Sequence, residues 1–89
     1  MVTLIIRHKV KDYPAWKRAF DTHEERKSAG LANERVTCSI DDPNEVVLLC
    51  EVTDLDKARM FCASDNLKAA MQGAGVSDKP DLYFVKDAV

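Results

Sequence analysis

The chain has 89 residues, the size of one small domain, with 13 basic and 15 acidic side chains and a net charge of −2. Hydrophobic residues make up 46% and charged residues 31%, with three Gly and three Pro, which excludes a disordered or repetitive chain. Because the two signs of charge are interspersed along the sequence, no basic surface for nucleic acid is expected.

Neither a membrane segment nor a metal site is expected. The N-terminal stretch MVTLIIRHKV lacks the features of a signal peptide, and about 18 consecutive apolar residues occur nowhere. Cys38, Cys50 and Cys62 are an odd number and form no CxxC pair, so neither a disulfide framework nor a zinc knuckle is predicted. We therefore expect a soluble cytoplasmic protein.

The first predicted strand runs from Val2 to Val10, where β-branched residues are dense. The alternate residues that we expect to face the core are Val2, Leu4, Ile6, His8 and Val10. A helix then begins at about Asp12, whose carboxylate can accept hydrogen bonds from the first turn, and Pro14 is tolerated there. Ala29-Gly30 supplies the stop signal.

One face of this first helix is predicted to be buried, because apolar residues recur at steps of three and four. The stripe consists of Tyr13, Trp16, Ala19, Phe20, His23 and Lys27. His23 is its unusual member, since it continues the line of Trp16 and Phe20 instead of joining the polar side. Any chemistry is therefore predicted to lie beneath this face.

A hairpin follows the first helix. Its strands are predicted over Leu31–Ile40 and Glu45–Thr53, and the turn Asp41-Asp42-Pro43-Asn44 joins them. The second of these strands is almost continuously apolar, as is typical of a central strand that is covered on both faces.

Two short helical segments and a last strand complete the chain. Thr53-Asp54-Leu55-Asp56 resembles a capping box and opens a helix that carries Leu55, Ala58, Phe61 and Cys62. Ser64-Asp65 restarts the chain into a helix over Asn66–Gln72, which Gly73 and Gly75 end. Asp81–Lys86 is the last strand.

The order strand, helix, strand, strand, helix, strand predicts one ferredoxin-like α+β sandwich over residues 1–89, with its helices on one face of an antiparallel sheet. The other face of the sheet is left uncovered. We expect a second copy to pack against it, sheet to sheet, as a homodimer.

The segments HKVKDYPAWKRAFDTH, DDPNEVVLLCEV, DLDKARMFCASDNLKAAMQGAGV and DLYFV resemble the dimeric α+β barrel superfamily. Within it, they are similar to the small stand-alone proteins grouped with the antibiotic biosynthesis monooxygenases. The resemblance implies a homodimer whose two sheets join into a barrel, with a pocket between sheet and helices in each subunit. It leaves the reaction open, because members include cofactor-independent oxygenases, haem-degrading oxygenases, isomerases and dehalogenases.

Haem degradation is not expected. The haem-degrading relatives use an Asn on the first strand, a Trp, and a haem-ligating His in the second half of the chain. Here His8, His23 and Trp16 all lie near the N-terminal end, so that triad has no counterpart. The Asn–Trp pair of the aromatic polyketide oxygenases cannot be placed either, and no cofactor is predicted.

The candidate site lies between the first strand and the first helix. If His8 faces the helices, it shares an aromatic pocket with His23, and the two are candidate acid/base residues. The predicted substrate-binding walls are Trp16, Phe20, Phe61 and Tyr83. Such a pocket suits a small, flat, aromatic or polyketide-like compound. Deprotonation of such a compound would give a carbanion that itself reduces O₂, as in a cofactor-independent monooxygenase. In a cyclase or isomerase, the proton would instead be moved from one carbon to another.

Another interpretation stays open. A His on an apolar stripe is also typical of a core residue bonded to backbone, and Trp16 and Phe20 are typical of core packing. Arg7, Arg35 and Tyr83 could orient an anionic group or lie at the dimer interface instead. Two His without a carboxylate at ligand spacing do not predict a metal. The alternative function is a non-catalytic dimeric domain that binds a metabolite or another protein.

Overall fold

The structure, a computed structural model, describes residues 1–22, 29–77 and 79–88. Within these residues the chain forms four strands and three helices. In chain order they are β1 (Val2–Lys9), α1 (Tyr13–Thr22), β2 (Leu31–Cys38), β3 (Glu45–Val52), α2 (Leu55–Cys62), α3 (Asp65–Gly73) and β4 (Asp81–Lys86). The predicted element order is confirmed.

The four strands form one sheet in the order β2-β3-β1-β4, and every neighbouring pair is antiparallel. This is the ferredoxin-like α+β arrangement that the sequence predicts. The hydrophobic core lies on one face of the sheet, where the central strands β1 and β3 pair Leu4 with Cys50 and Ile6 with Leu48. Leu4 is fully buried, as the parity of the first strand predicts.

Side-chain caps define where the helices begin. The backbone N–H of Ala15 donates to the Asp12 carboxylate at 3.3 Å, which confirms the predicted start of α1. Ser64 caps α3, as its position before the predicted helix indicates. At α2 the cap is Asp54, whose carboxylate accepts from the N–H of Lys57 at 3.1 Å, and not Thr53 as the capping-box interpretation implies.

A backbone hydrogen bond joins Gly30, just before β2, to the residues that precede α2. Gly30 has a φ of +74°, and its carbonyl accepts a hydrogen bond from the N–H of Thr53 at 2.7 Å. A Cβ at this position would lie 2.6 Å from the carbonyl oxygen of Asp54. Glycine is therefore required both by backbone conformation and by space.

Strand β2 contains a bulge. Ala32 pairs with Glu51 and Arg35 pairs with Leu49, so one extra residue lies in β2 between these pairs. Asn33 adopts a φ of +49°, and its side-chain amide donates to the Glu51 carboxylate at 2.7 Å. Because of the extra residue, Leu31 and Glu34 both reach the helix side of the sheet although an odd number of positions separates them.

The second face of the sheet is open. Tyr83 and Val85 of β4 lie on it opposite Ile5 and Thr3, and their exposed fractions are 54% and 42%. Arg7 crosses this face and forms ion pairs with Glu45 at 2.7 Å and with Asp81 at 3.1 Å. Across the described parts of the chain, no helix combines the length and the apolar character that crossing a bilayer requires.

Candidate functional site

A cavity of about 70 Å³ lies between the sheet and the helices and is partly open to solvent. Strands β1, β2 and β3 form its floor, and residues of α1, α2 and α3 form its walls. Its lining is mainly apolar. The cavity therefore lies beneath the buried face of α1, where the sequence predicts a site.

The imidazole of His8 belongs to the floor of this cavity and is only 2% exposed. Its position on β1 follows from strand parity, because it shares the core-facing side with Leu4 and Ile6. The ring meets the indole of Trp16 edge to face, with centroids 5.4 Å apart and planes inclined by 64°. His8 is thus held against an aromatic wall and away from bulk water.

Trp16 and Phe20 form the wall on α1. Their rings stack with centroids 5.1 Å apart and planes only 21° from parallel, as residues four apart on one helix face can do. Lys17 lies 5.8 Å from the centroid of Phe20 and also forms an ion pair with Asp21 at 2.6 Å, on the solvent side of the helix. Phe61 of α2 adds a further aromatic side chain to the lining.

Glu34 is the residue that sequence reasoning missed. It lines the same cavity from β2, although β3 separates β2 from β1 in the sheet. Among the described lining residues, the titratable side chains are those of His8, Glu34 and Cys50. The sole hint of the bulge in the sequence is the pair Asn33-Glu34, a short amide followed by an acid. A regular strand would place Glu34 and Leu31 on opposite faces, so strand parity alone does not predict that both line the cavity.

Comparison with known proteins gives neighbours in structure but not in sequence. No family model and no curated protein matches the chain. Two solved proteins described as putative antibiotic biosynthesis monooxygenases superpose on it. The one from Bordetella bronchiseptica gives a TM-score of 0.75 at 13% identity over 99% of this chain and 97% of that protein. The one from Caulobacter crescentus gives 0.71 at 20% identity over 99% and 89%.

SnoaB, a cofactor-independent oxygenase from Streptomyces nogalater, superposes with a TM-score of 0.62 at 20% identity, over 99% of this chain and 95% of SnoaB. This chain has the same fold as these three proteins. The resemblance predicted from the sequence is thereby confirmed as a likeness of fold. Since identity is no higher than 20% in these three comparisons, only the fold carries over to this chain.

Within this fold, four of the six predicted site residues come together around the cavity. These are His8, Trp16, Phe20 and Phe61. The prediction that Tyr83 is a pocket wall is wrong, because Tyr83 pairs with Ile5 and therefore points to the opposite, open face of the sheet. His23, the other predicted acid/base residue, lies outside the described residues.

The sequence leaves open whether Arg7 and Arg35 orient an anionic group or lie in solvent or at the dimer interface. Arg7 lies on the open face with its two carboxylate partners, and the hydrogen bond that its Nε donates to the Glu45 carboxylate raises the pKa of its guanidinium above the ordinary value. Arg35 is exposed and pairs with Leu49, which places it on the same open face. Neither residue lines the cavity.

The lining defines what the cavity can do. One imidazole and one carboxyl group in an apolar surrounding can accept and return a proton, and they can orient a hydroxyl or carbonyl group of a ligand. In the described residues, no three His, Cys, Asp or Glu side chains come together as metal ligands. At about 70 Å³ the cavity is roughly half of the ~150 Å³ that holds a benzene molecule, so a larger ligand extends through its open side.

Proposed function

We propose that this protein is a small cofactor-independent enzyme, a monooxygenase or a cyclase/isomerase, acting on an aromatic or polyketide-like compound. The observation that carries the proposal is the imidazole of His8, 2% exposed at the floor of a cavity lined by Trp16, Phe20 and Phe61. The likeness in fold to SnoaB, a cofactor-independent oxygenase, supports it.

His8 is the general base of the proposed mechanism. Imidazole titrates near neutral pH, so it can take a proton from a phenol or from a carbon next to a carbonyl group and later return it. The apolar walls exclude water around the resulting anion, which strengthens its remaining polar contacts. His23 keeps its predicted role as a second acid/base residue and is tested separately.

In the monooxygenase reaction, the deprotonated substrate reduces O₂ directly. The carbanion donates electrons to O₂ and forms a carbon–oxygen bond, and protonation gives a hydroperoxide. The base then removes the remaining hydrogen from that carbon, the O–O bond breaks, and hydroxide leaves and takes a proton to become water. One oxygen atom ends in a new carbonyl group and the other in water, so the atoms and electrons balance without a cofactor. In the cyclase or isomerase reaction, the same base returns the proton at another carbon and O₂ takes no part.

Glu34 is proposed as a positioning residue for His8. Its carboxyl group lines the same small cavity, so a negative charge there would stabilise the imidazolium form that His8 adopts after taking the substrate proton. Glu34 would act on the imidazole of His8 and would not need to contact the substrate.

We also propose that the protein works as a homodimer in the cytoplasm. The open face of the sheet presents Ile5, Tyr83 and Val85, which a second copy would cover. The location rests on cysteine usage in the sequence, because an odd number of cysteines without CxxC spacing is typical of a reducing compartment.

The experiment that tests the function uses 1-naphthol as the probe substrate. Its oxidation by one O₂ yields 1,4-naphthoquinone and one water, so oxygen uptake and quinone absorbance should rise one to one. His8→Gln keeps a polar side chain of similar size and should lower the rate at least about 100-fold, the usual contribution of a general base. Lys57→Gln, on the exposed surface of α2, is the matched control and should keep the wild-type rate.

Binding is followed in parallel through Trp16, the only tryptophan, whose fluorescence reports a ligand in the cavity. If 1-naphthol quenches the fluorescence of Trp16 without oxygen uptake, the result would favour the non-catalytic binding domain over the monooxygenase. Incubation in D₂O followed by mass spectrometry would then show whether the protein exchanges a substrate proton, as an isomerase would. If His8→Gln retains the full rate and His23→Gln loses it, the base is His23 instead.

A further inference from the structure

A second concave region, called here the β4 groove, lies at the edge of the sheet. It is formed by α3, by residues 76, 77, 79 and 80 between α3 and β4, and by the edge strand β4 itself. Its volume is about 520 Å³, within the range of roughly 300–1,000 Å³ that small-molecule sites occupy. It is thus several times larger than the cavity that contains His8.

The walls of the β4 groove are largely apolar. Leu82 is the clearest case, because it belongs to the helix side of the sheet and yet has an exposed fraction of 36%. Met71, Val76 and Pro80 add further apolar surface, each half-buried. An apolar molecule that filled the groove would remove this surface from water, a gain of about 25 cal/mol for each Å² buried.

The charged residues among the described residues of the groove are two lysines. Lys68 of α3 and Lys79, just before β4, both line it and both are exposed. Neither forms an ion pair with a carboxylate in the part of the chain that the structure describes. Lysine stems can lie along apolar surface while their ammonium groups stay in water, so both charges remain available to an anion.

We propose that the β4 groove is a second binding site, for an amphipathic carboxylic acid whose apolar body contacts Leu82, Met71 and Val76 and whose carboxylate meets Lys68 and Lys79. Apolar walls, together with two lysines that have no carboxylate partner among the described residues, select this class of ligand over a neutral or a cationic one. The site is separate from the His8 cavity, although Leu67 and Met71 of α3 line both and form the partition between them. Ligand binding in the β4 groove does not depend on the reaction proposed for the His8 cavity.

The test compares three probes with the same eight-carbon chain by isothermal titration calorimetry: octanoate, octan-1-ol and octyltrimethylammonium. Octanoate should bind about tenfold more tightly than octan-1-ol, and octyltrimethylammonium more weakly than both. The double variant Lys68→Gln/Lys79→Gln should lose that tenfold preference and keep its affinity for octan-1-ol. Leu82→Ser should weaken octanoate and octan-1-ol by a similar factor. Lys57→Gln, the same change on α2 outside the groove, should leave all three affinities unchanged.

Chemical shifts locate the ligand. Octanoate should perturb the methyl resonances of Val76 and Leu82, and not those of Ile6, which lines the His8 cavity. Octanoate that fails to bind, that binds no better than octan-1-ol, or that binds equally to the double variant would overturn the proposal. Shifts centred on Ile6 would place the ligand in the His8 cavity and overturn it as well. These outcomes leave the 1-naphthol assay unaffected, so the two proposals fail independently.

Discussion

His8 and Glu34 reach one small cavity from two strands that are not neighbours in the sheet. A carboxyl group and an imidazole are costly to bury in an apolar surrounding, because each loses hydration there. A core that needed only stability would place aliphatic residues at both positions. Their presence in one apolar cavity is what the proposed proton chemistry requires.

The first residue-scale prediction concerns the carboxyl group of Glu34. Glu34→Gln keeps the shape of the side chain and removes the carboxyl group that is proposed to stabilise the imidazolium form of His8. The acid limb of the kcat/KM profile for 1-naphthol should therefore move to lower pH. Asp56→Asn, which alters an exposed carboxylate on α2, is the matched control. An acid limb that stays in place in Glu34→Gln would exclude the positioning role.

The second residue-scale prediction concerns Cys62. Partial burial raises the pKa of its thiol above the ordinary value of 9.0. Alkylation of Cys62 by iodoacetamide, followed by mass spectrometry, should therefore show its inflection above pH 9.0 in the folded protein and at a lower pH in the urea-unfolded chain. An inflection shared by both states would contradict the effect of burial.

The same shift makes stability depend on pH. Well below pH 9.0 the thiol is protonated in both states, so Cys62 adds no pH dependence there. As the pH rises further, the unfolded chain loses its thiol proton first, and the free energy of unfolding falls. Cys62→Ala should make that alkaline decline shallower, as measured by urea denaturation at pH 8 to 10.

Strand parity explains which site residues the sequence could predict. The parity of β1 places His8 on the core side because Leu4 and Ile6 share it, and the structure agrees. In β4 both parities carry large apolar residues, so parity alone cannot say whether Tyr83 or Phe84 faces the core. The pairing of Tyr83 with Ile5 decides it, and that register depends on a strand more than 70 residues away in the sequence.

At the scale of elements, local signals predict most of the fold. The Asp12, Asp54 and Ser64 side chains cap three helices, and alternation of apolar residues marks the strands. The bulge in β2 could not be predicted in this way, because one extra residue changes the face of every residue beyond it without changing composition. The bulge is also the feature that brings Glu34 into the site.

The element-scale prediction compares two changes at the bulge. Asn33→Ala and Asn33→Gly both lose the hydrogen bond to Glu51, but only alanine is strained at a φ of +49°. Asn33→Ala should lower the free energy of unfolding by about 1.5 kcal/mol and Asn33→Gly by about 0.5 kcal/mol, both by urea denaturation. Equal losses would mean that the hydrogen bond, and not the backbone conformation, stabilises the bulge.

At the scale of the whole molecule, the sheet is covered on one face only. A face of four strands of up to eight residues measures roughly 26 by 19 Å, or about 500 Å² of flat area. Two such faces would bury at least about 1,000 Å², which reaches the lower limit of a specific interface. The charged side chain of Arg7 already has Glu45 and Asp81 as partners within its own chain, so burial of this face would leave its charge compensated.

The whole-molecule prediction tests this dimer. Light scattering after gel filtration should give the wild type twice the 10.0 kDa mass of one chain. Tyr83→Asp places a charge at the centre of the exposed apolar surface of β4, where a partner would have to bury it, and should give the monomer mass. Met60→Asp, the same kind of change at an exposed residue of α2, should leave the dimer intact.

The melting temperature separates loss of the dimer from loss of the fold. Because a dimer is stabilised by mass action, the wild type should melt at a higher temperature as its concentration rises, whereas the Tyr83→Asp variant should melt at one temperature at all concentrations. A Tyr83→Asp variant that remains a dimer would show that subunits meet elsewhere. A wild-type monomer would show that this sheet tolerates an open face, and a 1-naphthol reaction by that monomer would locate the whole active site within a single chain.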